Sequence, residues 1–272
     1  MGHGRTHHTA TRIDDGRIVI AGGDDGNAAI ASIEIFDPVT NVFHAFAHPL
    51  SSARTQSAAA MLPGGRVRVA GGSSGAHVLA TTEIVDVTAG TVTAGPAMGT
   101  ARASFTATGL LNHDVLVAGG TDGSGDLASA ERFDPLTNAF VSVAGLNGAR
   151  QGHSAIRLPE NNGVLIVGGT AAGQGLLSTE VFLPESGYFQ LSGVTNAAHP
   201  AGIASETTTS GVAVTAGGQG TSLIERYRYA TVRTDKKDYA PGTTVTITGS
   251  GWVPGEQVLL HLQESPDFDQ HP

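Results

Sequence analysis

Eleven histidines and no cysteine set the chemistry open to this chain of 272 residues. Thiol nucleophiles and thiolate metal sites are excluded, while neutral imidazole is a good ligand for zinc and similar divalent ions. Three protein ligands that leave one position open make such a site catalytic, because a bound water ionises near pH ~7 and attacks an ester or phosphoester while the metal polarises the electrophile. The ligand pool read here is His7, His8, His153 and His199, holding a divalent metal, most simply zinc. Asp24 and Asp25 are the catalytic candidates, able to orient water or accept a proton, and Arg5 and Arg150 are the groups that would draw in an anionic substrate. No His-Glu-x-x-His occurs, so any such site must be assembled from distant parts of the chain. Asp24-Asp25-Gly26-Asn27 and Asp122 to Asp126 have the composition of calcium loops and equally of plain turns. Ser57 and Ser154 have no acid-base partner fixed by spacing.

The elements that must position these groups are repeats. A glycine doublet behind a short apolar run occurs at Gly22-Gly23, Gly71-Gly72, Gly119-Gly120, Gly168-Gly169 and Gly217-Gly218, with first glycines 49, 48, 49 and 49 residues apart. A glutamate follows each doublet (Glu34, Glu83, Glu131, Glu180, Glu225), and Arg5, Arg54, Arg102 and Arg150 open four of the copies. A fixed period near fifty residues marks a repeat architecture. Within the first copy, residues 8–13, 18–21, 33–36 and 42–46 read as strands, with Asp14-Asp15-Gly16 and Asp37-Pro38 as turns, because Asp and Gly accept the backbone angles that tight turns require. Four short antiparallel strands form a blade, and radial repetition of blades predicts a β-propeller. The doublets do not lead into helices, so they are not phosphate loops.

The pattern Arg-x-x-His-[Ser/Thr]-Ala, apolar run, Gly-Gly, Glu-x-x-Asp-Pro-x-Thr resembles the kelch repeat over roughly residues 5 to 230. The resemblance implies an all-β, five-bladed kelch-type β-propeller with a short C-terminal β extension. The family's tryptophan in the last strand is replaced here by Phe43 or Phe140, or is absent, and five blades depart from the usual six or seven. The fifth blade is expected to finish near residues 227–234, with the ring closing directly or through another copy.

Residues present in every copy are most simply blade-building, so the glutamates and arginines are read as ion pairs and hydrogen bonds within or between blades. The histidines break the pattern. His3, His7, His8, His48, His77, His153 and His199 map to the face where the first strands begin, and five of these belong to the sector from blade 4 through blade 5 to blade 1. In that sector the loop between doublet and glutamate is four residues shorter in the fifth copy, Pro200 is read as replacing the arginine, and Ile203 stands where His8 and His153 stand. A lowered wall between histidine-bearing strands predicts a pocket there. His44, His113, His261 and His271 fall outside the cluster.

Residues 1–234 are assigned to the propeller. Residues 235–272, with Pro-Gly turns and alternating β-branched residues around Trp252, resemble the start of an Ig-like module of bacterial secreted proteins and are expected to pack on the propeller or on a neighbouring chain, giving a homo-oligomer. A net charge of −9 without a Lys/Arg block argues against nucleic acid. No apolar run is long enough to span a bilayer and none is flanked like a signal peptide, although the resemblance places the parent protein outside a bacterial cell or on its surface. Two functions follow from these readings. The first is a metal-dependent hydrolase of a small-molecule ester or phosphoester, working at the channel mouth. The alternative is a non-catalytic kelch binding module for a peptide or glycan.

Overall fold

A computed structural model describes residues 1–75, 77–159, 162–200, 202–208, 211–218, 222–235 and 243–251. Strands are the only regular elements among them. The first four repeats each form a four-stranded antiparallel meander. Blade 1 comprises Thr9–Arg12, Ile18–Ala21, Ile33–Asp37 and Val42–Ala45; blade 2, Ala58–Leu62, Arg66–Ala70, Thr82–Asp86 and Thr91–Gly95. Blade 3 comprises Thr106–Gly109, Val115–Ala118, Ala130–Asp134 and Ala139–Val143; blade 4, Ser154–Arg157, Val164–Val167, Ser178–Leu183 and Tyr188–Val194. Blade 5 has three described strands, Ile203–Thr207, Val212–Gly217 and Ile224–Arg228. First strands of successive blades pack on one another from blade 1 to blade 5, which puts them on the inside of the ring.

The second strands of blades 1, 3 and 4 are continuous apolar runs because both faces of each sheet are covered, whereas a one-sided sheet would alternate. In blade 3, Val115 and Val117 pack with Ala58, Ala60 and Leu62 of blade 2, while Leu116 and Ala118 pack with Val164 and Ile166 of blade 4. Corresponding clusters join blade 1 to blade 2 through Val19, Ile33, Val67 and Val69, and blade 4 to blade 5 through Leu165, Val167 and Ala213. Each such large side chain is worth roughly 1.5–3 kcal/mol of burial. No apolar cluster among the described residues spans blades 5 and 1. In place of the tryptophan expected from the kelch pattern, Phe133 and Phe140 pair at 5.2 Å between ring centroids, and the Arg68 guanidinium of blade 2 lies 3.6 Å from the Phe133 centroid. Equivalent pairs are Phe36 with Phe43 and Phe182 with Phe189.

The turns behave as their residues dictate. Asp37 and Asp134 accept the amides of Val39 and Leu136, and Asn41 and Asn138 then take positive φ, so Asp-Pro-x-Thr-Asn is a complete turn into the fourth strand. One expectation is corrected: residues 231–234 do not add a fourth strand to blade 5 but pair with Ile247–Ser250. Trp252, His261 and His271 lie outside the described residues.

Candidate functional site

The connection entering each blade carries the arginine and buries it. Arg54 donates from Nη1 to the carbonyls of Gly71 and Thr81, and from Nη2 to Glu83 at 2.7 Å; Glu83 in turn accepts the Ser51 amide. The same contacts recur at Arg5–Glu34, Arg102–Glu131 and Arg150–Glu180. These guanidinium groups are 0–1 % exposed. The planar fork suits the task because it meets two carbonyls and a carboxylate at once. Arg5 and Arg150, read from the sequence as substrate-binding, are therefore occupied inside this clamp.

Blade 5 keeps the clamp with a different residue. His199, not Pro200, takes the arginine position: Gly169 N–H donates to the His199 carbonyl as Gly120 N–H donates to that of Arg150. Its Nδ1 lies 2.6 Å from the Gly217 carbonyl and its Nε2 3.1 Å from Glu225. Glu225 also accepts the Asn196 and Ala197 amides, and its pKa is lowered by these bonds and by His199, against a desolvation that raises it. The irregular histidine of the sequence is thus a buried structural substitute. The doublet glycines make these close passes possible: a Cβ on Gly72, whose φ is +91°, would lie 2.6 Å from the Thr55 carbonyl.

His153 is buried at the start of its strand, with Nε2 2.9 Å from Thr106 Oγ1 and no partner for Nδ1. Burial, and then the neighbouring Arg150, push its pKa down to about 3, so it is neutral. Phe105 and Ile203 occupy the matching place in blades 3 and 5, as their common approach to the doublet glycines shows. His8, in the same place in blade 1, is half-buried with Nδ1 unpartnered and its pKa lowered, chiefly by burial. His48 and His77 are exposed.

His7 belongs to a different layer. It takes φ 51° at a tight bend that Gln56, Ser104 and Gly152 share. The carbonyl of His7 accepts the Gln56 amide, that of Gln56 the Ser104 amide, and that of Ser104 the Gly152 amide, which lines these four residues along the channel mouth at the entry face. His7 Nδ1 lies 3.1 Å from Asp24 Oδ2, which also accepts from Thr6 and Thr55. These contacts, the His7 bond foremost, lower the Asp24 pKa. Asp25 accepts the Asn27 and Ala28 amides and lies on the outer part of the loop. Two blades on, Asp126 accepts from Gln151 and from the Ala172 amide.

The structure brings His7 and Asp24 together and holds His8, His153 and His199 in separate blade-entry positions. Among the described residues no group of three or more His, Asp or Glu side chains is close enough to hold a metal ion. The cavity between blades 4 and 5, about 110 Å³, is lined by Thr179, Ser192, Thr215, Glu225 and Tyr227 and not by the histidines. A β-bulge at Thr179/Glu180 borders it. Sequence reasoning missed the mouth residues Gln56, Ser104 and Gly152, although each stands two places after its arginine as His7 does.

A comparison with curated proteins returns no match. The Kelch motif is matched at residues 5–48 and 102–147, that is, at blades 1 and 3, the two that carry the complete Asp-Pro-x-Thr-Asn turn. With these motifs and five blades set round one axis, the fold is a five-bladed kelch-type β-propeller.

Proposed function

We propose that this protein is a non-catalytic binding module that engages a peptide or glycan through the loops of the propeller's entry face. The observation that supports this reading is the fate of the charged groups. The four repeat arginines and His199 are closed into clamps below the surface, while the rim offers hydrogen-bonding side chains on a rigid frame: the exposed His7, Asp25 and Asp122 and the half-buried Asp24 and Asp126. Binding residues carried on loops over a stiff sheet are the common arrangement. The Asp122 carboxyl, held below the usual range by the Ser124 hydroxyl and by backbone amides, stays ionised in mild acid and favours partners with cationic or hydroxyl donors. Screening the chain against peptide and glycan arrays tests this. Retention of a ligand that is weakened at least tenfold by Asp24→Asn with Asp122→Asn supports the reading, and retention of none overturns it.

The second reading, a zinc-dependent hydrolase of esters or phosphoesters, draws on one observation, the contact between His7 and Asp24 at the mouth. It requires stoichiometric metal after extensive dialysis and an esterase activity that a chelator removes. A dialysed protein without metal or activity dismisses it.

A further inference from the structure

The first strands leave the mouth at the opposite, exit face in a different chemical state. At one register position there, blades 1 to 4 carry Arg12, Met61, Gly109 and Arg157, paired with Ile18, Val67, Val115 and Val164 of their second strands. These residues line a cavity of about 400 Å³ at the channel's exit end. Its described polar lining consists of Arg12 and Arg157, with His113 and the hydroxyl-bearing Thr11 and Thr108; the rest is Met61, Leu110, alanine and glycine, and none of these described lining residues is acidic.

Arg12 and Arg157, like Arg66, Arg226 and Arg228, have no acidic partner among the described residues, whereas most of the other described arginines do. Arg5, Arg54, Arg102 and Arg150 are clamped to glutamates, Arg17 pairs with Asp15, Arg132 with Asp114, and Arg68 lies on Phe133. Among the described residues, neither Arg12 nor Arg157 makes a side-chain hydrogen bond or ion pair. Two guanidinium groups at one concave mouth, in a chain of net charge −9, supply a locally positive contribution to the field. Low-dielectric walls concentrate such a field on whatever enters.

The geometry points to a binding site for a small anionic molecule, whose oxyanion meets Arg12 and Arg157 and whose uncharged body lies against Met61, Leu110 and the alanines. A guanidinium fork matches the oxygens of phosphate or carboxylate, and such charge-assisted contacts are stronger than neutral hydrogen bonds. A cavity of this size falls in the range that holds a metabolite-sized ligand, roughly 300–1,000 Å³. The site is separate from the entry-face loops, so it stands whether or not those loops bind a macromolecule.

Isothermal titration of the full chain with inorganic phosphate and with glucose 6-phosphate, and with glucose as the uncharged control, tests the inference. Saturable binding of either anion at one site per chain is expected. Arg12→Gln and Arg157→Gln each weaken it about tenfold or more, the double variant abolishes it, and Arg17→Gln leaves it unchanged. Arg12 faces solvent and the glutamine keeps most of the stem, so the fold survives; an unchanged melting temperature verifies this. Absence of saturable binding, equal binding of glucose, or anion binding that persists in the double variant would each overturn the proposal.

Discussion

Burial turns the most chemically inviting histidine into a neutral structural residue. The folded pKa of His153, about 3, lies below the ordinary value of 6.5, so the unfolded chain takes up the extra proton as pH falls through that window. Stability is therefore expected to drop from pH 6.5 toward 3 by up to about 1.4 kcal/mol per unit from this residue. His153→Phe, which copies Phe105 of blade 3, should flatten the urea-unfolding profile over that range; an unchanged slope would show that the proton goes elsewhere. The exposed aspartates of the entry-face loops, whose pKa values are depressed, add stability that is present above their unfolded pKa and lost in stronger acid. At the clamps, removing one partner strands a buried charge. Glu131→Gln is expected to cost roughly 3–5 kcal/mol, because Arg102 has no water to turn to.

Each blade entry is one device built from an arginine, a glycine doublet and a glutamate, and blade 5 runs it on a histidine. His199 reaches two oxygen atoms, the Gly217 carbonyl and the Glu225 carboxylate, as the arginines reach a carbonyl and a carboxylate in the other blades. His199→Ala should destabilise the blade by about 1–3 kcal/mol through the unsatisfied Glu225, and His199→Arg should recover most of that loss, since four other blades hold an arginine there. Circular-dichroism melts of the two variants decide it: an arginine variant as unstable as the alanine variant would mean that the position has been reshaped around imidazole. Gly72→Ala meets a backbone carbonyl and cannot relax by rotating a side chain, so it should be worse than either.

Across the molecule the seams are unequal. Blades 2, 3 and 4 are packed on both faces, whereas blade 5 has three described strands and one apolar cluster, shared with blade 4. Local opening follows packing. Hydrogen exchange should therefore release the amides of the blade 5 strands, residues 203–207, 212–217 and 224–228, first, with those of residues 115–118 and 164–167 exchanging last. Equal protection in all blades would imply that blade 5 is held by contacts outside those described. The two mouths of the ring also differ: Asp24 and His7 meet at the entry mouth, and Arg12 and Arg157, without an acidic partner among the described residues, line the exit.

The repeat period, the four strands of blade 1, the tight turns and the structural role of the Arg and Glu pairs were all legible in the residues, because each depends on local backbone preference or on recurrence at fixed spacing. Ile203 was also correctly aligned with His8 and His153. The assignment of Pro200 to the arginine position missed by one residue, and with it the role of His199, since only the hydrogen bond from the next-lower doublet identifies the equivalent carbonyl. Whether the histidines meet, which strand residues 231–234 join, and which arginines remain without a carboxylate are properties of side chains brought together from different blades. No spacing along the chain encodes those distances; the radius of the ring and the facing of each strand do, and both exist only once the sheets have packed.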